Sequence, residues 1–162
     1  MLNIRLAVAA AAALFPALAG AQALQERNMP LAAAQSIAQG AVEACAAKGF
    51  NVAAAVVDRA GVVRALLRAD RAGSHTPDAA RAKAFTSASL RNGTAAVADA
   101  VEKNPAQRNL GQIQGFLLLG GGLPIRVGDE VIGAVGVGGA PNGQLDEECA
   151  KAGIDKAQAS LG

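Results

Sequence analysis

The sequence predicts an α+β domain, an antiparallel sheet with helices packed on it. Strand-length apolar runs follow one another across glycine-containing turns, which makes them hairpins rather than parallel strands with helical crossovers. The segments between them repeat apolar residues at helical spacing. Four Phe and no Trp or Tyr leave the core to Ala, Val, Leu and Ile, with Gly where backbones come close.

Met1 to Arg5 carries one basic side chain, Leu6 to Leu18 is uncharged, and small residues follow as Ala19-Gly20-Ala21 and Ala21-Gln22-Ala23. This is the pattern of a cleavable signal peptide over residues 1–23, with cleavage after Ala21 or Ala23, and it predicts a periplasmic or secreted protein. A retained membrane anchor is the alternative; a span takes about 20 apolar residues, and this run is shorter. Residues 24–162 then make a single domain with no membrane span.

Within that domain, Ala34, Ile37, Ala38, Ala41, Val42 and Cys45 recur at helical spacing from Leu31 to Lys48, and Gly49 stops the helix. Short strands at 51–58 and 62–68 turn about Gly61. Thr76-Pro77-Asp78 opens a second helix, with Thr76 as cap, Pro77 at the first helical position and Asp78 at the positive end of the dipole. It runs to about Leu90. A further helical piece runs from Thr94 to about Lys103, before Asn104-Pro105, and 105–115 reads as loop. Strands follow at 116–119, 123–127 and 131–137, the last two joined at Gly128-Asp129. Asp146-Glu147-Glu148 opens the last helix, with Lys151 and Lys156 nearer its end. The predicted order is α-ββ-αα-βββ-α, with five strands.

Charge excludes one class of partner. Once Arg5 leaves with the signal, the remaining Lys and Arg exceed the 13 Asp and Glu by one. Nucleic acid needs a concentrated basic patch and stacking aromatics, and neither is present. Gly120-Gly121-Gly122 and Gly136-Val137-Gly138-Gly139 lack the lysine and spacing of nucleotide loops, so they serve as tight turns or as backbone that a flat ligand or another subunit can approach.

Cys45 falls on the apolar stripe of the first helix and Cys149 near the start of the last. They form a disulfide, as an exported protein with an even cysteine count favours, or stay as two buried thiols. His75 is the only histidine, which rules out a multi-histidine metal site. Before a helix start it is a solvated loop residue, a general base, or an axial ligand to haem, for which one imidazole suffices. Lys83, Thr86, Ser87 and Leu90 share one helix face, lining a pocket or facing solvent.

Five collinear segments carry a resemblance: Val56-Val57-Asp58-Arg59-Ala60-Gly61 with Arg64, Ala82-Lys83-Ala84-Phe85-Thr86, Gly120 to Ile125, Ile132 to Pro141, and Asp146 to Ile154. Together they resemble the GlcG/HbpS family, a haem-binding or haem-degrading domain family, over nearly all of the mature chain. The resemblance implies a profilin-like or PAS-like fold with a five-stranded antiparallel sheet, first and last helices side by side, Cys45 paired with Cys149, and homo-oligomers. It also implies haem as cofactor. Thr86, in the Lys-Ala-aromatic-Thr motif, is the implied haem-iron contact, with Lys83 as its helix partner. His75 looks like the histidine that exported members place before this helix. In two places the chain departs from the pattern: Gly138 stands where a serine is usual, and Phe85 where Tyr or Trp is frequent.

The leading reading is therefore an exported small-ligand binder whose apolar groove holds haem. His75, with or without Thr86, approaches the iron; Lys83 or Arg81 meets a propionate; Gly138 and Gly139 lie against the ligand. A second reading is an enzyme or accessory for small hydroxy or keto acids such as glycolate, with Lys83, Arg64 and glycine-rich amides on the carboxylate. A third is a structural oligomer that scaffolds a partner. No metal cluster, nucleotide loop or nucleophile–base pair in the sequence promotes an enzyme.

Overall fold

The computed structural model describes residues 23–161. Of the predicted signal segment only Ala23 falls among them, so the signal peptide and its cleavage lie outside the described residues.

Val52 to Asp58 is buried along its whole length, which a strand tolerates only in the middle of a sheet covered on both faces. The fold uses it that way. Strands β1 (Ala53–Asp58), β2 (Val63–Arg68), β3 (Gly122–Val127) and β4 (Glu130–Gly138) form one antiparallel sheet in the order β2-β1-β4-β3. Helices α1 (Leu31–Ala47) and α4 (Gly143–Ala157) cover one face, and α2 (Thr76–Leu90) the other, followed by α3 (Thr94–Lys103). Gly61 and Gly49 carry the turn and the helix stop assigned to them, with φ of +81° and +83°. Among the described residues no helix is long and apolar enough to cross a membrane.

The two faces are packed differently. Under α1 and α4, Val52, Val56, Val135 and Val137 meet Ile37, Ala41 and Ala150 in the main core. The helices nearly touch there, because a Cβ on Gly153 would lie 2.4 Å from the Ile37 carbonyl. The Cys45–Cys149 disulfide joins them, both sulfurs fully buried. Ion pairs Lys156–Glu43 and Lys48–Glu148 flank the bridge. The Lys156 hydrogen bond, helped by one from Gln39, holds the Glu43 carboxyl below its ordinary range, and the Arg59 hydrogen bond does the same for Glu130.

Under α2 the floor is mostly alanine and glycine, Ala53, Ala55, Ala134 and Gly136, with Val57 as its larger side chain beneath Ala84 and Ala88. A Cβ on Gly136 would fall 2.1 Å from the Ala80 carbonyl and 2.5 Å from the Ala84 amide. The backbone of α2 therefore rests almost on the sheet, and its own Ala80 and Ala84 are fully buried.

Several expectations are corrected. The sheet has four strands, not five, because residues 116–119 do not pair with a strand. Helix threonines serve that backbone instead: the Leu117 amide donates to Thr86 Oγ1 at 2.9 Å, and Thr94 Oγ1 donates to the Leu119 carbonyl at 2.6 Å. Most of the predicted 105–115 loop is a 3-10 segment, Pro105–Gln112, begun by the Asn104 side chain accepting from the Ala106 amide. The order is thus α-ββ-αα-ββ-α with 3-10 segments added. Thr76 is not the cap of α2 but its first residue, and its hydroxyl donates back to the Gly73 carbonyl at 2.8 Å. Helix α4 starts three residues before the predicted acids, capped by Asn142 accepting from the Leu145 amide at 2.9 Å.

Candidate functional site

Helix α2 starts at the end of the sheet where β4 finishes, and α4 starts after a four-residue loop from that end. Two helix N-termini therefore open on the same place, bringing two positive dipole ends together. Between them lies a cleft of about 430 Å³, within the size range of small-ligand sites. Gly73, His75, Thr76 and Ala79 form one wall, and Gly138 to Gly143 form the other.

His75 stands at the mouth. It occupies the N-cap position of α2 with φ −78° and ψ −16°, and its imidazole is exposed and makes no hydrogen bond. Gly73 makes room for it, since a Cβ there would come within 2.9 Å of His75 Cε1. Gly139, with φ +129°, lets the opposite wall turn away from β4.

Lys83 and Asp146 form the floor. Lys83 Nζ donates to Asp146 Oδ2 at 2.7 Å and to the Val137 carbonyl at 2.9 Å, while Asp146 Oδ1 accepts from the Ala140 amide at 3.0 Å. Their side chains are 6% and 4% exposed. One ion pair thus ties α2, the end of β4, the 138–142 loop and α4 to one another, and its charges cancel beneath the cleft.

The structure brings together His75, Lys83, Gly138 and Gly139 of the predicted site residues, and leaves out three. Thr86 is fully buried, its hydroxyl donating to the Ala82 carbonyl at 2.8 Å and accepting from Leu117, so it does not reach the cleft. Arg81 is exposed on α2 and lines no part of the cleft. Arg64 lies on the outer strand β2, in a groove beside α1. The Phe85 ring packs edge-on against Phe116, centroids 5.9 Å apart, so the aromatic departure also falls outside the cleft. Gly138 does line it, and a side chain there would meet Ala79 Cβ at 3.3 Å.

Asp146 and Asn142 were missed by the sequence reading. A signal existed: Asp146 is in phase with Cys149, Ala150 and Gly153, the buried stripe of α4, as Lys83 is with Thr76, Ala80 and Ser87 on α2. An acid and a base each buried on a helix facing the same sheet end are candidates to pair. Among the described residues no group of three or more His, Cys, Asp or Glu side chains could hold a metal ion.

Comparison with known proteins fits this geometry. The chain is 39% identical over 118 residues, 71% of its length and 82% of the other's, to an uncharacterised 15.0 kDa protein encoded between dhaT and dhaS in Citrobacter freundii. Among solved structures, a doubly substituted variant of HbpS from Streptomyces reticuli superposes with a TM-score of 0.79 at 39% identity, covering 93% of this chain and 99% of that one. Protein ORFY of Klebsiella pneumoniae gives 0.80 at 30% identity, covering 86% and 97%. A haem complex of PduOC shares the fold, with a TM-score of 0.71 at 20% identity over 80% of this chain and 94% of that one. The family model for haem degrading protein HbpS-like matches residues 29–155, and the chain belongs to that HbpS-like family.

Proposed function

We propose that the protein is an exported haem-binding protein, used in haem sensing, storage or handling, that takes the porphyrin at the cleft between α2 and α4. The observation that carries this reading is His75, an exposed and unpartnered imidazole held at the cleft mouth by the start of a rigid helix. A free imidazole nitrogen is the donor that a haem axial position takes. Bound haem would supply an iron centre, while the chain orients and covers it. The donor set fits, and the glycine-rich wall from Gly138 to Gly143 gives a flat macrocycle close access to backbone.

The roles within the site shift from those first expected. The Lys83 ammonium is committed to Asp146 and Val137, so propionates fall to the first amides of α4 and its dipole. Thr86 serves the 116–119 backbone. Export is supported by the Cys45–Cys149 bond, since disulfides persist in oxidising compartments.

Titration of the purified apo-protein with hemin, followed at the Soret band, tests the reading. A saturable red shift that His75→Ala removes is expected. No shift, or one unchanged in His75→Ala, overturns it. One observation favours a second reading: two helix starts and glycine amides converging on one cleft also suit a small hydroxy or keto acid. That reading expects thermal stabilisation by millimolar glycolate or glyoxylate, and none by hemin.

A further inference from the structure

Where β4 begins, at the far end of its nine residues from the cleft, Arg59, Arg91 and Arg126 line a hollow of about 460 Å³ with Asp129, Glu130 and Val131. The three guanidiniums differ in what already holds them. Arg59 is neutralised on the spot, bonding Glu130 at 2.6 Å and Glu26 at 3.1 Å. Arg126 bonds only main-chain carbonyls, those of Arg91 at 2.9 Å and Asp129 at 3.4 Å, so it is fixed without a carboxylate on its charge. Its aim follows from the break in β3–β4 register between Ile125 and Arg126, since a bulge turns a side chain out of the ladder.

Among the described residues the Arg91 side chain makes no hydrogen bond or ion pair, and only its carbonyl is engaged. Arg91 is also the one non-glycine residue with positive φ among those described, at φ 55° and ψ 30° after the end of α2. Glycine closes a helix there at lower cost, so the fold accepts backbone strain in order to present an arginine. The Arg91 carbonyl is the group that Arg126 grips, and the two guanidiniums therefore share one anchor. Asp129 is the only lining carboxylate not bonded to an arginine, and it leaves them in excess.

Planar guanidinium forks fixed by neutral groups and facing a concavity match the oxygens of phosphate or carboxylate. We propose that this hollow binds a small, multiply charged oxyanion through Arg91 and Arg126, independently of the haem cleft. The shared chemistry is that of a phosphate ester or a polycarboxylate.

Calorimetric titration of the mature protein with pyrophosphate and with citrate, at ionic strength held constant with NaCl, tests the proposal. Saturable binding of at least one is expected, and the stronger one names the source chemistry. Arg91→Gln, which alters only an unbonded side chain, should weaken it about tenfold, the loss of one charge-assisted fork. Arg126→Gln should do likewise, Arg108→Gln should not, and hemin binding should be unchanged in all three. No binding of either anion at millimolar concentration, or equal binding in Arg91→Gln, overturns it.

Discussion

Replacing Asp146 with Asn tests whether the floor of the cleft is the clamp that the structure describes. The change is nearly isosteric and keeps an oxygen for the Ala140 amide, but it removes the charge facing Lys83 Nζ at 2.7 Å. With side chains only 6% and 4% exposed, water screens the pair little, and the ammonium is left with one carbonyl. Breaking a buried pair on one side costs about 3–5 kcal/mol. The retained Ala140 contact puts the expectation near the lower end, about 3 kcal/mol, or about 10 °C in Tm for a domain of this size. Urea unfolding under non-reducing conditions, with the midpoint read at constant m, measures it. A second variant separates charge from packing. Lys83→Met with Asp146→Leu removes both charges, and should be more stable than Asp146→Asn alone, because a buried pair replaced by apolar groups is often near neutral. An Asp146→Asn loss below about 0.5 kcal/mol, the range of ordinary surface changes, would refute the buried clamp.

Reducing the Cys45–Cys149 bond releases a loop of 104 residues, and chain entropy gives about 4–5 kcal/mol for its closure; the midpoint with and without reductant, or in Cys45→Ser with Cys149→Ser, should differ by an appreciable part of that. Gly136→Ala would press a methyl into the Ala80 carbonyl and Ala84 amide, and a loss of about 3 kcal/mol or failure to fold is expected, against a loss of about 1 kcal/mol at Gly128→Ser, where a Cβ meets nothing within 4 Å and only the positive-φ backbone strain is added. Glu43 and Glu130 have lowered carboxyl pKa values, so their contribution is present above the unfolded carboxylate range and is lost as pH falls through the folded value. Melting curves of Glu43→Gln and Glu130→Gln should therefore fall below wild type at pH 7 and converge with it in acid.

Much of the fold was legible because its signals are local. Period and stop signals placed α1, α2, α3 and all four true strands within a residue or two, since each has its own apolar stripe and its own glycine or proline boundary. The 116–119 run failed as a strand for a non-local reason. Its apolar composition is that of a strand, but its backbone partners are the hydroxyls of Thr86 and Thr94, on helices far away in sequence. The site was half legible. His75 and the glycines were visible as the odd residues in their surroundings, whereas the Lys83–Asp146 pair depends on how close α2 comes to the sheet. That closeness rests on Gly136 beneath Ala80 and Gly122 beneath the Lys83 carbonyl.

The alanine and glycine floor under α2 has a consequence for how such a cleft can change its ligand. Alanine and glycine have no rotamers to adjust, so where they lie beneath the helix it cannot be nudged by repacking, and a larger residue there only lifts it; Val57 is the one branched side chain in that floor. Variation in ligand preference is thereby confined to what hangs from a fixed rail: the residue at position 75, and the short loop between β4 and α4. A library intended to redirect the cleft should randomise those positions and leave the rail untouched.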